Sequence, residues 1–123
     1  MKRILVIEDD RNIALALSFR LKSAGYEATT AWDALTGVDA AVKTPPDLVL
    51  LDVCLPISSG FVVAEQIQTL VPAPIPIIFI TASRQPGFRQ KAAELGAAGY
   101  FEKPYEAEEL LAAIQNILNP PGH

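Results

Sequence analysis

Short apolar blocks recur along this chain, each cut off by a carboxylate or a hydroxyl. Ile4-Leu5-Val6-Ile7 runs into Glu8-Asp9-Asp10, Leu48-Val49-Leu50-Leu51 into Asp52, and Ile77-Ile78-Phe79-Ile80 into Thr81. A strand with one wet face alternates apolar and polar side chains, so these unbroken runs predict strands covered on both faces, as in a parallel sheet. Two weaker segments complete the set: residues 26–31 alternate, and Gly99-Tyr100-Phe101 is a brief run ending at Glu102-Lys103-Pro104. Between the runs the period changes. Ile13, Leu17, Leu21 and Ala24 predict a helix over 12–24 with Gly25 as its cap, and Asp33 opens a second helix with Val38, Ala41 and Val42 facing in. A third starts near Gly60 with Val63, Ile67 and Leu70 as its stripe. Phe88, Ala92 and Leu95 predict a fourth over 85–95, and Leu110, Ile114, Ile117 and Leu118 a fifth over 106–118.

Five strands alternating with five helices through short loops make a parallel α/β sandwich. Right-handed crossovers leave few strand orders, and the expectation is a (βα)5 doubly wound sheet of order 2-1-3-4-5, the flavodoxin-like arrangement. In that order the topological switch lies between strands 1 and 3, where Glu8, Asp9 and Asp52 would meet. Pro56 cannot extend a ladder and Gly60 tolerates unusual backbone geometry, so 53–60 reads as a loop beyond Asp52.

Length and composition narrow the class. The 123 residues, 50% hydrophobic, suit one domain, and no uncharged run approaches the roughly 20 residues of a membrane span. The apolar run after Met1-Lys2-Arg3 meets acids too soon for a signal peptide, so a cytoplasmic protein is expected. Cys54 and His123 are the only cysteine and histidine, which excludes an intramolecular disulfide and a Cys/His zinc cluster, and disfavours a hydrolase triad. A net charge of −4 argues against a basic nucleic-acid surface, so the expected partner is protein.

Three carboxylates converging in a crevice repel one another, and a hard divalent cation with oxygen ligands relieves that repulsion. Magnesium suits an open acidic pocket that shares phosphoryl oxygens. Lys103 would add a positive charge and Thr81 a hydroxyl donor. No Walker-type run is present, and Gly96-Ala97-Ala98-Gly99 precedes a strand and lacks a dinucleotide fingerprint. The phosphoryl group is therefore expected on the protein rather than on a bound nucleotide.

Ile4-Leu5-Val6-Ile7-Glu8-Asp9-Asp10, Asp47 to Asp52 with Pro56 and Gly60, Ile80-Thr81-Ala82 and Gly99 to Pro104, in this order and spacing, resemble the receiver domain of bacterial two-component response regulators. The resemblance covers residues 2–118, giving a receiver domain over 1–118 and, over 119–123, a tail or the start of a linker. It implies a phosphorylation-dependent signalling switch, with Asp52 accepting a phosphoryl group from a sensor histidine kinase or phosphotransfer protein. Asp9 would ligate magnesium directly, Glu8 through water, and the backbone carbonyl of Cys54 would add a ligand, with Asp52 completing the set. Thr81 and Tyr100 would carry the switch to the fourth helix, fifth strand and fifth helix, for a downstream effector or an attached output domain to read. The Lys103–Pro104 peptide is cis in families of this kind. Beyond its own phosphorylation and slow dephosphorylation, the chain is expected not to be an enzyme.

Two positions depart from the pattern. Ala98 stands where receivers that pair through the fourth helix and fifth strand commonly carry aspartate, which weighs against that form of phosphorylation-dependent dimer. Trp32, after the second strand, has no functional explanation in the sequence. The Cys54 side chain reads as a bystander, with no adjacent basic residue to make its thiol reactive. Two other functions compete. An aspartyl-phosphate phosphatase of the haloacid dehalogenase type wants a second aspartate where Cys54 stands. A binding-only receiver usually lacks one of Asp9, Asp52, Thr81 or Lys103, and all four are present.

Overall fold

The structure, a computed structural model, describes residues 1–120; the last three residues of the expected tail, His123 among them, lie outside the described residues. Its elements are β1 (Arg3–Ile7), α1 (Arg11–Ser23), β2 (Glu27–Ala31), α2 (Ala34–Lys43), β3 (Leu48–Asp52), α3 (Gly60–Leu70), β4 (Ile77–Thr81), α4 (Phe88–Glu94), β5 (Gly99–Glu102) and α5 (Ala107–Leu118). All four strand pairings are parallel and the order is β2-β1-β3-β4-β5, as the alternation of patterns predicts.

The unbroken apolar runs are explained by a core on each face of the sheet. Leu5, Ile7, Val49, Leu51, Ile77 and Phe79 point into one cluster, closed by α2, α3 and Ala92 of α4. Ile4, Val6, Leu48, Leu50, Ile78 and Ile80 point into the other, closed by Leu17 and Leu21 of α1 and by Leu110 and Ile114 of α5. Every residue of β3 and β4 is buried, the polar Asp52 and Thr81 included. Both polar residues end their strands at the same edge of the sheet, where β1 gives way to Glu8.

The N-cap predicted for α2 forms, Asp33 accepting from the N–H of Thr36, and Asp10 caps α1 in the same way, accepting from the N–H groups of Asn12 and Ile13. The cap of α3 is Ser59, which accepts from the Phe61 N–H. Four helices differ from their expected faces or bounds. Helix α4 starts three residues after the predicted Gln85, because Pro86 and the left-handed Gly87 (φ 91°) hold the preceding segment out of the helix. The inner face of α2 is Gly37 and Ala41 rather than Val42, which is exposed; a Cβ on Gly37 would come within 2.7 Å of the Ile7 side chain, so that face requires small residues. Ile13 and Leu70, expected inside, are exposed, their places taken by Ala14 and Ser18 on α1 and by Val71 after α3.

Candidate functional site

The carboxyl ends of β1, β3, β4 and β5 bring Glu8, Asp52, Thr81 and Lys103 to one crevice, with Asp9 at its rim. One carboxylate oxygen from each of Glu8, Asp9 and Asp52 lies within 4.8 Å of the others. Glu8 and Asp52 are buried and Asp9 is exposed.

Lys103 neutralises part of this charge. Its Nζ stands 2.6 Å from Glu8 Oε1 and 3.1 Å from Asp52 Oδ2. Burial pulls the ammonium's pKa down, but the hydrogen bond to Glu8 and the charges of Asp52 and Glu8 outweigh it and hold the group above its ordinary value. Lys103 is therefore a fixed cation at neutral pH. The Lys103–Pro104 peptide is cis, and the Lys103 N–H donates to the Thr81 carbonyl at 2.8 Å, tying the ends of β4 and β5 together.

Both oxygens of Asp52 are held. Oδ2 faces Lys103, and Oδ1 accepts from the Cys54 N–H at 2.9 Å. Glu8 is equally committed, with Oε1 on Lys103 and Oε2 accepting from the Asp10 N–H at 3.1 Å. Asp9 has no salt bridge among the described residues. The loop beyond Asp52 is pinned by the Gly60 N–H, which donates to the Val53 carbonyl at 2.7 Å.

The charge that remains fits a hard cation. Three carboxylates against one ammonium leave negative charge in excess, and every donor is oxygen, the ligand type magnesium takes. Asp9 feels this excess only in part. Its carboxyl sits above its ordinary 3.8, first through lost hydration at the rim, then through the hydrogen bond with Glu8 and the Glu8 charge. An acid whose pKa is raised by folding costs stability once ionised, so without a metal this contribution is lost as pH rises from 3.8 through the raised value. Asp9→Asn should therefore stabilise the metal-free protein at neutral pH, by less than about 1 kcal/mol after solvent screening, with the gain vanishing in acid. Thermal melts in EDTA between pH 3 and 7 check this; a neutral-pH variant less stable than the parent would contradict the repulsion.

Thr81 is fully buried, and its Oγ1 accepts from the Ser83 N–H at 3.0 Å and lies 3.5 Å from Cys54 Sγ. Tyr100 pairs with Phe79 in the β4–β5 register, two residues before Thr81 and on the same face. Its ring is half-buried against the core cluster, with the Arg89 guanidinium 4.7 Å from the ring centroid. Arg89 and Arg84 both reach Glu102 Oε1, at 3.6 and 3.3 Å. The sequence gives no sign of this cluster, because its members come from three separate segments. Trp32 now has a structural partner: the Arg11 guanidinium lies 4.0 Å from its ring centroid.

The fold and the crevice together define a doubly wound domain with an acidic site at its topological switch point. The sequence profile described as the response regulator receiver domain matches residues 4–115. This chain belongs to that family. The DNA-binding dual master transcriptional regulator RpaA of Synechocystis is 37% identical over 119 residues, 96% of this chain and 49% of that protein. The chain thus spans about half the length of the curated relatives it matches. Among solved structures, the non-phosphorylated HemR receiver domain from Leptospira biflexa superposes with a TM-score of 0.88 at 31% identity, covering 97% of this chain and 95% of that one. A Burkholderia pseudomallei response regulator with a phosphorylated aspartic acid, a calcium ion and citrate gives 0.85 at 27% identity, covering 95% and 69%. Among the described residues no helix is long and apolar enough to cross a membrane.

Proposed function

We propose that this chain is a phosphorylation-dependent signalling switch in which Asp52 takes a phosphoryl group from the phosphohistidine of a sensor kinase or phosphotransfer protein. The observation that carries this reading is the double tether of Asp52, to Lys103 Nζ through one oxygen and the Cys54 N–H through the other, in an all-oxygen acidic crevice. The phosphorylated aspartic acid of the Burkholderia relative supports it by similarity.

In the step proposed, a carboxylate oxygen of Asp52 bonds to phosphorus as the bond from phosphorus to the donor's imidazole nitrogen breaks, and the imidazole leaves. A carboxylate is a modest nucleophile, so catalysis rests on positioning and charge neutralisation. Lys103 supplies a preorganised cation for the transferred oxygens. Asp9, Asp52, the Cys54 carbonyl and, through water, Glu8 would hold magnesium, which when bound offsets charge on the phosphoryl oxygens. The hydrogen bonds already made by both Glu8 oxygens favour its indirect role, and Asp9 is the less committed ligand.

Once phosphorylated, Asp52 presents oxygens to the Thr81 hydroxyl, and the Tyr100 ring follows inward, a population shift read on α4, β5 and α5 by an effector or an output domain. The charge-rich edge formed by Arg84, Arg89 and Glu102 lies on that face. In this reading the chain is cytoplasmic, contacts no membrane or nucleic acid itself, and turns over no separate substrate. Intact-mass measurement after incubation with acetyl phosphate and magnesium should show one added phosphoryl group, absent with EDTA and absent in Asp52→Asn. An equal gain in Asp52→Asn would reject the assignment.

A further inference from the structure

The side chain of Cys54 looks idle in the sequence, yet its sulfur is one of two contacts of the Thr81 hydroxyl among the described residues. Oγ1 accepts from the Ser83 N–H at 3.0 Å, which leaves the hydroxyl proton to be placed, and Cys54 Sγ stands 3.5 Å away. Thr81 is fully buried, so its proton has no access to solvent. A buried hydroxyl left without an acceptor is costly, and a thioether or thiol sulfur is a weak one.

We propose that Cys54 is a positioning residue: its thiol holds the Thr81 hydroxyl in the resting state, and phosphorylation of Asp52 draws that hydroxyl away. The two acceptors differ in the direction the switch requires. Sulfur is neutral and polarisable, whereas phosphoryl oxygens are charged and accept shorter, stronger hydrogen bonds. The backbone geometry makes the exchange local. Cys54 lies two residues past Asp52, and its N–H already donates to Asp52 Oδ1, so the sulfur and the phosphoryl acceptor share one short loop. A weak resting partner leaves Thr81 satisfied without trapping it. Removing the thiol should raise the free energy of the resting arrangement alone and so favour the phosphorylated one.

This inference rests on the function proposed above, and the test separates the two. Beryllofluoride, a non-covalent mimic of the phosphoryl group, is titrated in the presence of magnesium into the parent, Cys54→Ala, Thr81→Val and the double variant. Cys54→Ala should bind it roughly three- to fivefold more tightly than the parent, the scale of one weak sulfur hydrogen bond. The same substitution should change nothing in the Thr81→Val background, and Cys54→Ser, whose hydroxyl is the stronger acceptor, should bind the mimic no more tightly than the parent. Equal effects of Cys54→Ala in both backgrounds, or weaker binding, would overturn the inference while leaving the switch chemistry in place. A parent that binds no beryllofluoride would overturn both. Should the double variant not fold, the Thr81 methyl resonance decides. In free Cys54→Ala it should move toward its position in the mimic-bound parent, and an unmoved resonance would refute the latch.

Discussion

Replacing Lys103 with methionine should slow phosphoryl transfer to Asp52 by about 100-fold or more, the usual cost of deleting one preorganised electrostatic group. Methionine keeps an unbranched chain of similar length, so the change isolates charge. Nζ sits against Glu8 Oε1 and Asp52 Oδ2, and only 19% of the Lys103 side chain is exposed, so no surface lysine can replace it by drifting in. Since the folded pKa of Lys103 is raised, the stability it contributes is fully present below about 10.5 and is lost only as pH rises through the higher folded value. The parent should therefore show no lysine titration between pH 5 and 9. The variant should also be less stable, since Glu8 and Asp52 then face each other uncompensated in the buried crevice, at a cost of roughly 3 kcal/mol. Rapid-quench phosphorylation and urea melts at several pH values measure the two effects. A variant phosphorylated at the parental rate would remove Lys103 from the mechanism.

Gly60→Ala should cost stability, although alanine is the better helix former by about 1 kcal/mol, chiefly because it restricts the unfolded chain. Against this, a Cβ at position 60 would lie 2.8 Å from the Cα of Val53 and closer still to the Asp52 carbonyl oxygen. Both are backbone atoms of the strand end that carries the acceptor, and neither can rotate aside. Overpacking against rigid backbone costs about 3 kcal/mol or more, so the clash wins and the net loss should be at least about 1 kcal/mol. The molecules that do fold would accommodate the methyl by moving the β3 end, so phosphorylation should fall beyond what stability explains. A variant as stable as the parent and phosphorylated as fast would mean that α3 does not position Asp52.

These two residues also show what the sequence could and could not convey. The sheet order was legible because β1, β3 and β4 carry unbroken aliphatic runs that only a two-faced parallel sheet accommodates. The meeting of Glu8, Asp9 and Asp52 followed from that order, since each ends or follows a strand beside the switch point. Gly60 read only as a flexible residue in a loop; its close approach to the Asp52 carbonyl depends on how α3 docks, a tertiary matter with no local signature. The inner face of α2 is illegible in the sequence for a related reason. Periodicity favours the larger Val42, whereas proximity to Ile7 demands Gly37 and Ala41. Apolar spacing alone extends α4 back to Gln85, whereas Pro86 and the left-handed Gly87 hold its start at Phe88. The Cys54–Thr81 and Arg11–Trp32 contacts join side chains from different loops, and no spacing in the chain announces either.

The most direct test of the whole reading is to locate the phosphoryl group. Phosphorylated chain is reduced with borohydride, which converts an aspartyl phosphate to homoserine, and the peptides are sequenced by mass spectrometry. The prediction is homoserine at position 52 alone, dependent on magnesium and on the phosphodonor. Homoserine at position 9 or 10, phosphate retained on Thr81 or Ser83, or no modification under conditions where magnesium binds would contradict Asp52 as the acceptor.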